Sequence, residues 1–167
     1  SIRFESPNEP LKSNEGFVIK ARKNGLVIQS ESLQGSFYGA MAAADLIGFD
    51  NTAEAVNIED WPRIAQRVLF HEVHALNGPM ASPEQVQTFI QKVVARGRFN
   101  MLILELKSGL RYNSHPELAR KDAWTPAQLK AVLNTARHFG IEVIPALNTP
   151  AHSRWIGKAH PELIEDE

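Results

Sequence analysis

Three short apolar runs, Val68–Val73, Met101–Leu106 and Ile141–Leu147, alternate with two segments that open on the same helix-start chemistry. That alternation constrains the fold more than any other feature. Ser82-Pro83-Glu84-Gln85 places Ser at the N-cap, Pro at the first helical position and Gln three residues after the cap, where its amide reaches back to the cap. Thr125-Pro126-Ala127-Gln128 repeats the pattern. Val86, Phe89, Ile90, Val93 and Val94 then trace one apolar stripe, and Leu129, Val132, Leu133 and Ala136 a second, as expected of helices covering a core. Gly140 ends the second helix. Met101–Leu106 is almost continuously apolar, the habit of strands buried on both faces. Strand, helix, strand, helix, strand with short connections predicts right-handed crossovers and a parallel sheet. Three strands alone leave an apolar edge, which proteins avoid, so the sheet is expected to continue beyond Glu167 or to be covered by another chain. A doubly wound sheet and a (β/α)8 barrel satisfy this periodicity equally.

The first part of the chain has a different rhythm. Phe17–Ala21 and Leu26–Ser30 are β-branched-rich runs separated by Arg22-Lys-Asn-Gly25, which predicts two strands joined by a tight turn. Ser36 to Ile47 carries Phe37, Met41 and Ala44 at helical spacing, with Gly48 as the expected stop. Such a unit of roughly 50 residues is small for independent stability and is expected to lean on a neighbour. Asp50 to Asp60 is polar and reads as a connection, closed by Trp61-Pro62-Arg63. The expected division is therefore an α/β domain over 1–57 and a parallel α/β domain over 58–167.

Charge excludes some partners. With 18 basic and 19 acidic residues in 167, the formal net charge is -1, so nothing draws the chain to nucleic acid or to an anionic membrane. No apolar run approaches the roughly 20 residues a membrane-spanning helix needs. The absence of cysteine removes disulfides, thiolate metal sites and cysteine nucleophiles. The opening Ser1-Ile2-Arg3-Phe4 has no Met, which is expected of a processed or truncated start.

Two sets of residues carry a family resemblance. Glu15-Gly-Phe-Val-Ile19, Gly25-Leu-Val-Ile28 and Gly35-Ser-Phe-Tyr-Gly39 resemble the accessory α/β domain that precedes the barrel in glycoside hydrolase family 20. That domain also precedes barrels in other glycosidase families. Ile58-Glu-Asp-Trp-Pro-Arg63, Arg67-Val-Leu-Phe-His-Glu72, Phe99-Asn-Met-Leu102 and Ile144-Pro-Ala-Leu-Asn-Thr-Pro-Ala-His152 are similar, in order and spacing, to the motif series of that family's β-N-acetylhexosaminidases. The resemblance implies a small α/β accessory domain followed by the N-terminal part of a (β/α)8 TIM barrel, with about three barrel strands present. It implies release of terminal N-acetylhexosamine from glycans, in which the substrate's 2-acetamido oxygen attacks the anomeric carbon, an exception to the two-carboxylate scheme. The family's catalytic Asp-Glu pair follows the fourth strand, so the catalytic residues are expected outside this chain. No cofactor or metal is implied. A periplasmic or extracellular location follows from the family's habits alone.

Several positions depart from the family pattern. Val68 stands for the Gly of its Arg-Gly pair, Glu72 for a strand-end Asp, and Glu105 and Ser108 for the His and Asp of the second-strand motif. Ala146 and Asn148 replace an acidic pair, and Ala151 a Gly, while His152 is kept. Four residues emerge as candidate substrate contacts: Arg67, Asn148, His152 and Glu105. Arg67 matches an arginine that binds sugar hydroxyls in the family; at a strand start it also suits a structural salt bridge. His152, after the third strand, either orients a carboxylic acid or is a capped surface histidine. Asn148 either bonds to sugar or serves the turn before Pro150. Glu105, in an apolar strand, must be paired or face a polar barrel mouth, and Glu72 is read the same way. His71-Glu72-Val73-His74 is a poor metal motif, because strand residues three apart point to opposite faces, and none is expected there. Trp155 suits a sugar platform or packing under its loop; Trp61 and Trp124 suit packing. Three functions stay open: a family-20-like hexosaminidase, a non-catalytic carbohydrate-binding or scaffold protein on a degenerate barrel, and a member of another glycosidase family sharing the accessory domain.

Overall fold

The computed structural model describes residues 1–47, 54–73, 78–149 and 151–164. Gly48, His74 and Pro150, assigned a helix stop, half of a weak metal motif and a turn, lie outside the described residues. The chain forms two compact units, Ser1–Ala65 and Gln66–Glu167.

In the first unit the expected hairpin is β2, Phe17–Arg22, and β3, Gly25–Gln29, paired antiparallel. Two further strands flank it. β1, Ile2–Glu5, runs parallel to β3, and β4, Asn57–Asp60, pairs antiparallel with β2. The sheet order is therefore β1-β3-β2-β4. β4 corrects the expected connection over Asp50 to Asp60, and it carries residues 58–60 into the first unit's sheet. Its sequence Asn-Ile-Glu-Asp is polar because it lies at a sheet edge, where only one residue in two needs to be apolar.

Helix α1, Leu33–Leu46, begins three residues before the expected start at Ser36, since Ser32 is the N-cap and its hydroxyl accepts from the Gly35 amide at 2.9 Å. α1 packs on the face carrying Phe17, Ile19 and Ile28, all at most 2% exposed. Gly39 sets the distance between the two layers. A Cβ there would sit 2.6 Å from Ile28 Cγ2 and 3.2 Å from Phe17 Cβ, so the helix lies close on the sheet only without one.

The second unit has three parallel strands in chain order: β5, Val68–Glu72; β6, Met101–Glu105; β7, Glu142–Ala146. Between β5 and β6 runs α2, Pro83–Phe89, which continues as a π-helical turn over Ile90–Ala95. Between β6 and β7 runs α3, Pro126–His138. Both expected capping boxes form, at Ser82 with Gln85 and at Thr125 with Gln128. Gly140, at φ 67, provides the left-handed residue that ends α3.

The register shows which face of the sheet the helices cover. Residues paired across parallel strands share a face, so Leu69, His71, Leu102 and Leu104 point one way. The His71 ring stacks on Phe89 of α2 at 4.4 Å, which puts that face under α2. α3 lies beside α2, with Gln87 Nε2 donating to Thr135 Oγ1 at 3.0 Å. Both crossover helices thus cover one face, an arrangement common to a barrel wall and to one half of a doubly wound sheet. The other face carries Val68, Phe70, Ile103 and Ile144. Val68 is 41% and Phe70 55% exposed, whereas Leu102 and Leu104 are at most 1% exposed. The molecule is an α/β protein whose second unit has the architecture of part of a TIM barrel. Among the described residues, no helix is long and apolar enough to cross a membrane.

Candidate functional site

The C-terminal ends of β5 and β6 bring two carboxylates to one rung, because Glu72 and Glu105 are register partners; Ala146 completes the rung on β7. By the same alternation this rung belongs to the uncovered face. Two residues past Glu105 the backbone turns through Lys107 at φ 44, a left-handed conformation uncommon for a side-chain-bearing residue. The turn brings Lys107 Nζ back over the strand ends, 3.1 Å from Glu72 Oε1 and in an ion pair with Glu105 Oε1. Glu105 is 3% exposed, and a carboxylate so buried requires a counter-charge. Burial of the Lys107 ammonium acts to lower its pKa, but the hydrogen bonds to Glu105 and Glu72 outweigh it and the net direction is upward. The triad carries one surplus negative charge and presents carboxylate oxygens suited to accepting from sugar hydroxyls.

Beside the triad lies an open cleft of about 770 Å³ formed by the segments after β6 and β7. Lys107, Ser108, Arg120, His152, Arg154 and Trp155 are among its lining residues. Trp155 stacks on Tyr112, with ring centres 6.3 Å apart and planes 27° from parallel, and the Tyr112 hydroxyl donates to the Lys107 carbonyl at 2.9 Å. Burial pushes the Tyr112 hydroxyl pKa up, which keeps it a donor. Trp155 Nε1 is buried and has no hydrogen-bond partner among the described residues. Arg120 is fixed by Asp122, at 2.6 Å and 3.2 Å, and by the Gly78 carbonyl at 2.9 Å. Asp122 accepts from the Met80 amide and from Arg120, which together hold its carboxyl below the usual range. Cationic donors, a hydroxyl and an aromatic face are what a polyhydroxylated ligand needs.

The four candidate contacts do not form one cluster. Glu105 is in the triad and His152, at φ 56, lines the cleft. Asn148 follows β7 and is half-buried. Arg67 precedes β5 at the opposite ends of the strands, where its Nε donates to the Arg98 carbonyl at 2.6 Å and its amide to Asn100 Oδ1 at 2.9 Å. The structure therefore joins Glu105 to Lys107, which sequence reasoning had not singled out, and sets Arg67 apart from both. Lys107 was invisible because its role depends on one left-handed residue. Trp124 is a packing residue as expected, 2% exposed with Nε1 donating to the Ala81 carbonyl. Trp61 is flanked by Lys12, at 3.9 Å, and Arg63, at 4.6 Å.

Among the described residues, one group brings metal-ligand atoms together: His115, Glu117 and His160, all within 4.8 Å of one another. Hydrogen bonds to Glu117 and Glu162 raise the His160 pKa. Glu117 is held low by its own backbone amide, then by His160 and His115.

Residues 99–167 match the family model for the catalytic domain of glycosyl hydrolase family 20. The chain is 26% identical to the β-subunit of mouse β-hexosaminidase, over 98% of this chain and 33% of that protein. It superposes on a family-20 β-N-acetylhexosaminidase from Streptomyces coelicolor with a TM-score of 0.83 at 23% identity, covering 98% of this chain and 37% of that one. A second solved structure, a family-20 β-N-acetylglucosaminidase, gives a TM-score of 0.80 at 26% identity, covering 97% and 36%. The chain spans about a third of the length of the mouse relative.

Proposed function

Because this chain is glycoside hydrolase family 20-like, resembling β-N-acetylhexosaminidases in sequence and fold, we propose that it supplies the accessory domain and opening barrel strands of such an enzyme. In this reading the accessory domain extends past the expected boundary at residue 57 to include β4, and the unit from Gln66 begins the barrel. The substrate is a glycan bearing a terminal N-acetylhexosamine, and the location is periplasmic or extracellular. The reaction is substrate-assisted: the 2-acetamido oxygen attacks the anomeric carbon while a Glu outside this chain protonates the leaving oxygen and an Asp steadies the acetamido group. Further strands, from sequence beyond residue 167 or from another chain, complete the wall.

One observation carries the proposal: both crossover helices lie on one face, and the other presents Phe70 at 55% exposure below the Glu72–Glu105–Lys107 rung. An apolar face this open, crowned by charged groups at strand C-terminal ends, has the pattern of a barrel interior beneath its site. Glu105 and Lys107 bind sugar hydroxyls, with His152 and Trp155 along the cleft. Turnover of chromogenic N-acetylglucosaminide or galactosaminide by the protein containing this chain is the expected result. Sugar binding with no turnover of either overturns the enzyme reading.

That outcome would favour the second reading, a non-catalytic carbohydrate binder. It has its own support: Ser108 stands where the family has an Asp, and Lys107 already neutralises the carboxylate at Glu105.

A further inference from the structure

The segments after β6 and β7 contain the same four residues, His115-Pro116-Glu117-Leu118 and His160-Pro161-Glu162-Leu163. Each forms a single 3-10 turn led by its histidine, with φ -140 and ψ 65 in the first and φ -130 and ψ 72 in the second. In each, histidine Nδ1 lies 3.0 Å from Oε1 of the glutamate two residues on. The two copies then meet: His160 Nε2 lies 3.0 Å from Glu117 Oε1, and the imidazole centres are 6.4 Å apart, edge to face. Neither the crossovers nor the triad require these contacts.

We propose that His115, Glu117 and His160 form a binding site for a divalent transition-metal ion of the zinc class, with Glu162 as the outer carboxylate that orients His160. Two imidazoles and one carboxylate are a donor set that zinc takes, leaving a fourth position for water. The oxygen-preferring ions calcium and magnesium are poorly served by it. All three ligand atoms lie within 4.8 Å of one another, so the His115–His160 pair closes on the ion while the two contacts to Glu117 barely move. Bonds of about 2.0–2.1 Å in a tetrahedron place neighbouring donors roughly 3.3 Å apart, so the present 3.0 Å contacts to Glu117 open by only a few tenths of an ångström. His160 Nδ1 faces Glu162, which leaves Nε2 as the ligand atom; this is the carboxylate–histidine–metal arrangement that fixes ring orientation around bound ions. Entry is open, since the three side chains are 60%, 41% and 30% exposed. Glu117 also lines the cleft, so a bound ion ties the β6 and β7 segments together at its rim. The proposal is independent of the glycosidase reading, because all of its ligands belong to this chain.

The test is calorimetric titration of the chelator-treated protein containing this chain with Zn²⁺, with Co²⁺ absorption as a probe of coordination. The expected result is one ion per chain and the strong visible bands of tetrahedral Co²⁺. His115→Asn and His160→Asn abolish both signals, Glu162→Gln weakens affinity about 10–100-fold, and His138→Asn on α3 changes nothing. His115 is the most exposed of the three, so its variant decides the matter even if His160→Asn disturbs folding. Absence of Zn²⁺ binding by the unmodified chain overturns the proposal. So does binding that survives His115→Asn and Glu162→Gln at full strength.

Discussion

The two sheets of this molecule meet the same requirement in different ways. In the first unit four strands and one helix bury a shared core, with Phe17, Ile19 and Ile28 at most 2% exposed and Gly39 letting α1 settle onto them. In the second unit α2 and α3 bury Leu102 and Leu104, yet the reverse face keeps Phe70 55% exposed. In the first sheet the apolar residues left open, Ile2 and Phe4 at 54% and 58%, lie on the β1 edge of the helix-covered face; the second sheet is apolar on both faces and covered on one. Apolar residues on an uncovered face indicate a surface designed to be covered, which is what relates the second unit to a barrel wall.

The largest test of this contrast lies within the second sheet. Leu102→Ala should cost about 2–5 kcal/mol, as for a filled core site, while Phe70→Ala in the same chain should cost about 0.5 kcal/mol, as for an exposed position. Urea denaturation measures both; equal costs would mean the two faces are equivalently packed. Next is the rung itself. Lys107→Met strands the buried Glu105 carboxylate and should cost about 3 kcal/mol. The pKa of Lys107 is raised above its ordinary 10.5, so its contribution is complete below that value and is lost as pH rises through the folded-state pKa. Alkaline melts should therefore show a loss above about pH 10.5 that the variant lacks.

The first unit offers a smaller effect of the opposite kind. Gly39→Ala places a methyl group 2.6 Å from Ile28 Cγ2 and should cost about 1–3 kcal/mol by overpacking, read as a lowered denaturation midpoint. The smallest effect concerns His71, which burial against α2 holds below its ordinary pKa of 6.5. A depressed histidine stabilises the fold above the unfolded value and loses that contribution as pH falls through the folded one. Acid melts below about pH 6.5 should show a loss that His71→Phe reduces.

Much of this architecture was legible from local patterns. The hairpin, α1, both capping boxes and all three parallel strands follow from turn residues, caps and apolar periodicity. The elements that escaped depend on distant partners. β1 and β4 are sheet-edge strands whose sequences, Ile-Arg-Phe-Glu and Asn-Ile-Glu-Asp, are half polar; pairing with β3 and β2 makes them strands. The choice between barrel wall and doubly wound sheet was equally out of reach, since helix stripes and strand runs read the same in both. At the site, Glu105 was found because a carboxylate in an apolar strand demands a partner, but the partner, Lys107, is reached through one left-handed residue. The His115 and His160 turns lie 45 positions apart by residue number, and only the parallel order of β6 and β7 brings them together. Attention to His71 and His74, close in sequence, pointed away from them.

The central claim is that the face carrying Phe70 is open while the face carrying Leu102 is sealed. The chain has no cysteine, so in these 167 residues, without the strands proposed to complete the wall, single-cysteine variants Phe70→Cys and Leu102→Cys each offer one thiol to a soluble thiol reagent under native conditions. Fast modification at position 70, with position 102 reacting only as the chain unfolds, is the predicted result. Equal protection at both positions would contradict the account.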